Sequence, residues 1–138
     1  MDADFETIEH TAEIGIRAHG ASLEEAFANA ARGMFSLMID LDQIKEVEVR
    51  DIAVRAADQE LLLAEWLSEL LFLFDVEHVL FCRFQVEFPA PGELRGQAWG
   101  ERVDPDRHRI GLGIKAVTHH MLQIEREDGY RASVIFDV

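Results

Sequence analysis

The sequence predicts an α+β domain in which two helices pack on one largely antiparallel sheet. Three observations predict it. A capping signal followed by apolar residues at helical spacing occurs twice, at Ser22 and at Asp58. From Val79 onward the sequence is mostly period-two alternation broken by turns rich in Pro, Gly and Asp. The 138 residues suffice for one hydrophobic core and not for two, so a single domain over residues 1–138 is expected.

Phe5 to Ala18 reads as a first strand, with Ile14, Ile16 and Ala18 alternating against Glu13, Gly15 and Arg17. Gly20 ends it, and Ser22 with Glu25 forms a capping box. Leu23, Ala26, Phe27, Ala30, Ala31, Met34, Phe35 and Met38 follow the helical rule without a miss, so the Met and Phe stripe is core. Val47, Val49, Ile52 and Val54 mark a second strand; their change of parity predicts a bulge or a strand covered on both faces. Asp58 caps a second helix, Gln59 to about Phe74. Apolar residues occupy most of its circumference and leave a thin polar strip of Glu65, Ser68 and Glu69, so it should be the more buried of the two.

Cys82, Phe84, Val86 and Phe88 alternate with Arg83, Gln85 and Glu87, and Pro89 to Gly92 is a turn. Leu94 to Val103 is a strand whose Gly96 and Gly100 mark bends or bulges. After Asp104-Pro-Asp106, Ile110, Leu112, Ile114 and Ala116 form a core-facing row, while Gly111, Gly113, Lys115 and Val117 face the other way. Lys115 therefore has a cleared surface beside it. Met121 to Glu125 continue as strand, Asp128-Gly129 is a hairpin signal, and Tyr130, Ala132, Val134 and Phe136 alternate almost to the end.

Composition bounds the function. Thirteen basic residues against 27 acidic ones give a formal net charge of -14. Such a field repels phosphate backbones, so stable direct nucleic-acid binding by the chain alone is not expected, and a basic protein partner or a cation is favoured. The single cysteine, Cys82, excludes an intrachain disulfide. The acidic N-terminus does not resemble a signal peptide, and the apolar run near Leu61–Phe74 is broken by Glu65 and Glu69, so a cytoplasmic protein without a membrane span is expected. No phosphate-binding loop, dinucleotide fingerprint or nucleophile elbow occurs. Six histidines raise the possibility of zinc, but adjacent His119 and His120 point apart on a strand and no second cysteine exists, so structural or surface histidines are the better reading.

What remains is a charged constellation. The first segment carries Glu9-His10-Thr11-Ala12-Glu13, the glycine-flanked stretch supplies Lys115, and the chain closes on Phe136-Asp137-Val138. Asp137 and the α-carboxylate of Val138 lie on consecutive groups and could clamp a hard cation, with Glu13 as a third oxygen source.

These residues also carry a resemblance. The run Glu-His-Thr-Ala-Glu-Ile-Gly-Ile-Arg-Ala-His-Gly (9–20) with Ser-Leu-Glu-Glu-Ala-Phe (22–27) resembles the opening signature of the archease family. So do Leu61-Leu62-Leu63 through Leu71, Gly100-Glu101, Ile114-Lys-Ala-Val-Thr-His-His120 and the terminal Ile-Phe-Asp-Val. The resemblance spans the chain in order. It implies an accessory protein, not itself an enzyme, that promotes guanylylation and multiple turnover of an RtcB-type RNA ligase in tRNA splicing or RNA repair. By the same resemblance Lys115 is the functional lysine, and Glu13, Asp137 and Val138 form a divalent-metal site for Ca²⁺ or Mg²⁺. The family usually reads Asp-His-Thr-Ala-Asp; here Glu9 and Glu13 keep the charge, and Glu13 reaches one methylene further. The usual Tyr-His is His119-His120 here. Two other classes fit the same residues: a metal-dependent hydrolase of a small phosphorylated substrate, and a general chaperone-like binding module.

Overall fold

A computed structural model gives the fold and describes residues 4–9 and 12–138, with Glu9 described by its backbone alone. The elements are β1 (Phe5–Glu9), β2 (Glu13–Gly20), α1 (Leu23–Met38), a 3-10 turn (Leu41–Gln43), β3 (Glu48–Arg55), α2 (Gln59–Glu77), β4 (Val79–Glu87), β5 (Glu93–Arg102), β6 (Ala116–Val117), β7 (Gln123–Arg126) and β8 (Tyr130–Asp137). The class is the expected α+β, but the strands divide into two antiparallel sheets instead of one. In the five-stranded sheet β2 lies between β1 and β8, and β6 and β7 share the far edge of β8. The three-stranded sheet runs β3-β5-β4.

Local chemistry sets both helix starts. Ser22 Oγ accepts the Glu25 N–H (3.1 Å) while the Glu25 carboxylate accepts the Ala21 N–H (2.7 Å). Asp58 accepts the Leu61 N–H (2.8 Å). α1 contacts β1, β2 and β8 of one sheet and β4 of the other. The expected order of burial is reversed. Nine of the 16 residues of α1 are buried against eight of 19 in α2. α2 packs on β3, β4 and β5 of one sheet and on β6 and β7 of the other, yet leaves Phe72 and Val76 54% and 57% exposed. Trp66 reconnects the helices: its ring is fully buried and its Nε1–H donates to the Phe27 carbonyl (3.0 Å).

The glycines of β5 serve close approach more than bending. A Cβ on Gly96 would stand 2.5 Å from the Trp66 ring, and one on Gly100 would overlap the Leu80 carbonyl oxygen. In the β7–β8 connection Asp128 and Gly129 both have positive φ, 51° and 100°, as the hairpin signal required.

Four local expectations are corrected. The Phe5–Ala18 segment folds back on itself as β1 and β2, pairing Phe5 with Ala18 and Glu9 with Ile14; residues 10 and 11, which the expected strand also included, lie outside the described ones. β3 pairs with β5 without a bulge, because Val47 and Val49 are solvent-facing (70% and 46% exposed) and only Ile52 of the four is buried. The register shift falls in β4 between Phe81 and Arg83. Finally, Ile110–Ala116 is not a strand. Ile114 is buried, but Ile110 is 38% exposed, and only Ala116–Val117 enter the ladder. Val117 pairs with buried Phe136 and packs on the core, opposite to its expected side.

Candidate functional site

β8 is the element that assembles the site. Its alternation sends Ala132, Val134 and Phe136 into the core, all nearly inaccessible. Directly opposite residues of an antiparallel pair share a face. Ile14, Ile16 and Ala18 therefore join that core row, and Glu13, Gly15, Arg17 and His19 join Asp137, Ile135, Ser133 and Arg131 on the outer face. Glu13 and Asp137 form the last rung of the β2–β8 ladder, both half-buried.

The end of the chain is pinned on both sides. The Val138 N–H donates to the Ala12 carbonyl (3.3 Å), and the Lys115 N–H donates to the Asp137 carbonyl (2.8 Å). Thr118 donates its N–H and its hydroxyl to the Ile135 carbonyl (3.0 and 2.9 Å). Half-buried Val138 packs against the core. Thus Glu13, Lys115, Asp137 and Val138, spread over the whole sequence, meet by their backbones at one end of the five-stranded sheet. Lys115 itself is exposed, and a Cβ on neighbouring Gly113 would meet nothing within 4 Å, so the space beside the lysine is open. Among the described residues no cationic side chain forms an ion pair with Glu13 or Asp137.

Among the described residues no three His, Cys, Asp or Glu side chains cluster in a way that could hold a metal. What this end of the sheet offers is two side-chain carboxylates on one rung, with the backbone of Val138 next to them. An all-oxygen set of this kind suits a hard cation and not zinc. Of the described histidines, His19, His119 and His120 are exposed, and His78 caps α2 with a left-handed backbone (φ 58°). Cys82 is half-buried in β4, and burial pushes its thiol up.

A second charged centre lies inside the molecule. Glu101, buried at the end of β5, accepts the Lys45 N–H on Oε2 (2.7 Å) and an Arg107 N–H on Oε1 (2.5 Å). His108 has a fully inaccessible side chain. Its Nδ1 accepts the Asp104 N–H (2.8 Å), so Nε2 carries the proton and reaches both Glu101 Oε2 (3.0 Å) and the Gln43 carbonyl (3.1 Å). Burial pushes the Glu101 carboxyl up. The hydrogen bonds from Arg107, Lys45 and His108, with the Arg107 charge, outweigh it and hold the group down at about 2. In the sequence His108 is one of the structural or surface histidines, not singled out, and its partner is not found there. No local signal marks Glu101, because the alternation of β5 puts it on the same face as Arg95 and Gln97.

Two antiparallel sheets with helices against them, closed by a strand that carries an acidic rung at its end, define a small α+β domain. Comparison with known proteins gives the family. The Archease protein family (MTH1598/TM1083) matches residues 5–138. The protein archease of Sulfurisphaera tokodaii is 42% identical over 91% of this chain and 91% of its own. That of Methanosarcina mazei is 40% identical over 97% and 95%. The solution structure of Methanobacterium thermoautotrophicum protein 1598 superposes with a TM-score of 0.87 at 40% identity, covering 99% of this chain and all of that one. A crystal structure of a Thermotoga maritima archease, described as a possible chaperone, shares the fold with a TM-score of 0.66 at 24% identity. The chain belongs to the archease family. No helix among its described residues is long and apolar enough to cross a membrane.

Proposed function

We propose that the chain is an accessory protein of an RtcB-type RNA ligase, raising the ligase's guanylylation and letting it turn over repeatedly in tRNA splicing or RNA repair, without joining RNA itself. The observation that carries this reading is the rung of Glu13 and Asp137 beside the backbone of Lys115. Two carboxylates directly opposite on an antiparallel pair repel each other, and a cation between them relieves that repulsion. Glu13, Asp137 and the Val138 carboxyl group would hold Ca²⁺ or Mg²⁺; when bound, such an ion supplies positive charge that can meet an anionic group of the partner.

Lys115 contributes its own charge from an exposed position next to open space, where its ammonium can reach a phosphate of nucleotide or RNA held by the ligase. Its N–H is committed to the Asp137 carbonyl, which holds the lysine's backbone beside the acidic rung. The net charge of -14 supports docking on a basic, RNA-binding protein and argues against stable RNA binding by the chain alone. The reading implies a cytoplasmic protein.

The test is ligase guanylylation and multiple-turnover ligation with the cognate ligase, with and without this protein. Asp137→Ala and Lys115→Ala are each expected to lower the stimulation at least about 100-fold while the fold stays intact, the size expected when a positioned charged group is lost. Normal stimulation by both variants would refute the site assignment. Turnover of a phosphorylated small molecule by the isolated chain would move the reading to a hydrolase.

A further inference from the structure

We propose that Glu101 and His108 are positioning residues, holding the irregular segment 103–115 so that Lys115 meets the end of β8. The proposal rests on the reading of Lys115 given above and deepens it.

Between β5 and β6 the chain has no ladder to define its path. It is fixed instead by single anchors. The Val103 N–H donates to the His78 carbonyl (2.8 Å), and the His108 ring is buried between Glu101 and Gln43. The Gly111 N–H donates to the Met38 carbonyl at the end of α1 (2.8 Å). Ile114 is buried in the core, and the Lys115 N–H follows on Asp137. From His108 onward no more than two consecutive residues lack an anchor, so the lysine's position follows from where these anchors sit. His108 differs from the others because it anchors through its side chain, whose Nε2 reaches two elements at once, Glu101 of β5 and the Gln43 carbonyl of the 3-10 turn. Through Glu101 its bonds tie β5, the 3-10 turn and Lys45 to the segment. A buried carboxylate and imidazole stabilise a fold less than apolar side chains of similar volume, whereas their directional bonds admit one arrangement.

The two nitrogens of His108 separate this role from a merely structural one. His108→Asn keeps an acceptor near the Nδ1 position for the Asp104 N–H and loses the reach to Glu101. His108→Gln keeps a donor near Nε2 for Glu101 and Gln43 and loses the local bond. Amide hydrogen exchange by NMR reads the Lys115 N–H directly, with Ile16 and Phe35 reporting that the fold is intact. His108→Asn should speed exchange at Lys115 about tenfold and His108→Gln no more than about threefold, with Ile16 and Phe35 unchanged. Equal exchange in the two variants, or no rise in His108→Asn, overturns the proposal.

If His108→Asn does not fold, Arg107→Ala decides the matter. It removes a partly exposed donor to Glu101 and should raise Lys115 exchange about threefold; an unchanged rate overturns the proposal. In the ligase assay, full stimulation by His108→Asn alongside a Lys115→Ala that has lost it would also overturn the positioning role. Full stimulation by Lys115→Ala would instead refute the ligase reading, and the exchange rates would still decide the anchoring.

Discussion

Glu101 is a carboxylate that burial alone would drive toward neutrality, yet its bonds to Arg107, Lys45 and His108 hold it ionised down to about pH 2. A carboxylate whose folded value lies below its unfolded one stabilises the native state fully above the unfolded value, near 4.5. That contribution is lost as pH falls through the folded value. The shift corresponds to something on the order of 3 kcal/mol. Glu101→Gln should therefore be clearly less stable than the parent at pH 7, with the gap closing between pH 4.5 and pH 2. Urea denaturation at a series of pH values checks it, and a gap that stays constant across that window would show that Glu101 is not ionised in the native state. Nothing local in the sequence announces this residue. Its burial is made by Lys45, 56 positions away in the chain, and by a histidine seven positions on. Glu13, Lys115 and Asp137 were nameable by resemblance, but their meeting depends on a strand register that no single residue encodes.

Elements were legible where their signals are local. Ser22 with Glu25 and Asp58 make the caps they predicted, and Asp128-Gly129 supplies the left-handed turn. The stripe from Ala26 to Met38 is buried as its spacing required. Legibility failed where an element is defined by what lies across from it. Ile110 to Ala116 alternates like a strand, but only Ala116 and Val117 find a partner, because the remainder is held by the α1 terminus and the His108 cluster. α2 reads as apolar over most of its circumference, yet α1 is the more enclosed, because α2 turns Phe72 and Val76 to solvent. The β4–β5 pair gives a prediction at this scale. Gly100 sits where the Leu80 carbonyl leaves no room for a Cβ, beside the register shift at Phe81 and Arg83. Gly100→Ala should lower the melting temperature on the order of 10 °C, the equivalent of a few kcal/mol in a domain of this size. An unchanged melting temperature would mean the strands can separate there without cost.

At the scale of the whole molecule the dominant property is charge. Ion pairs such as Arg17 with Glu6 and Arg83 with Glu46 neutralise part of the surface, and the net charge remains -14. If the partner is a basic ligase, long-range attraction accelerates encounter, and added salt screens it over about 10 Å at 0.1 M. The association rate with the ligase should fall about tenfold between 0.05 and 0.5 M salt, while the dissociation rate changes much less. Stopped-flow mixing measures both, and a salt-independent association rate would remove charge as the steering force.

β8 pairs with β2 along its whole length, and its partners were laid down more than a hundred positions earlier. During synthesis, then, the apolar side of Ile14, Ile16 and Ala18 leaves the ribosome long before the strand that completes its sheet exists. The first hairpin and both helices must wait as a half-built scaffold until residues 130–137 emerge, and a message truncated before that point would yield a sticky fragment with no charged end to present.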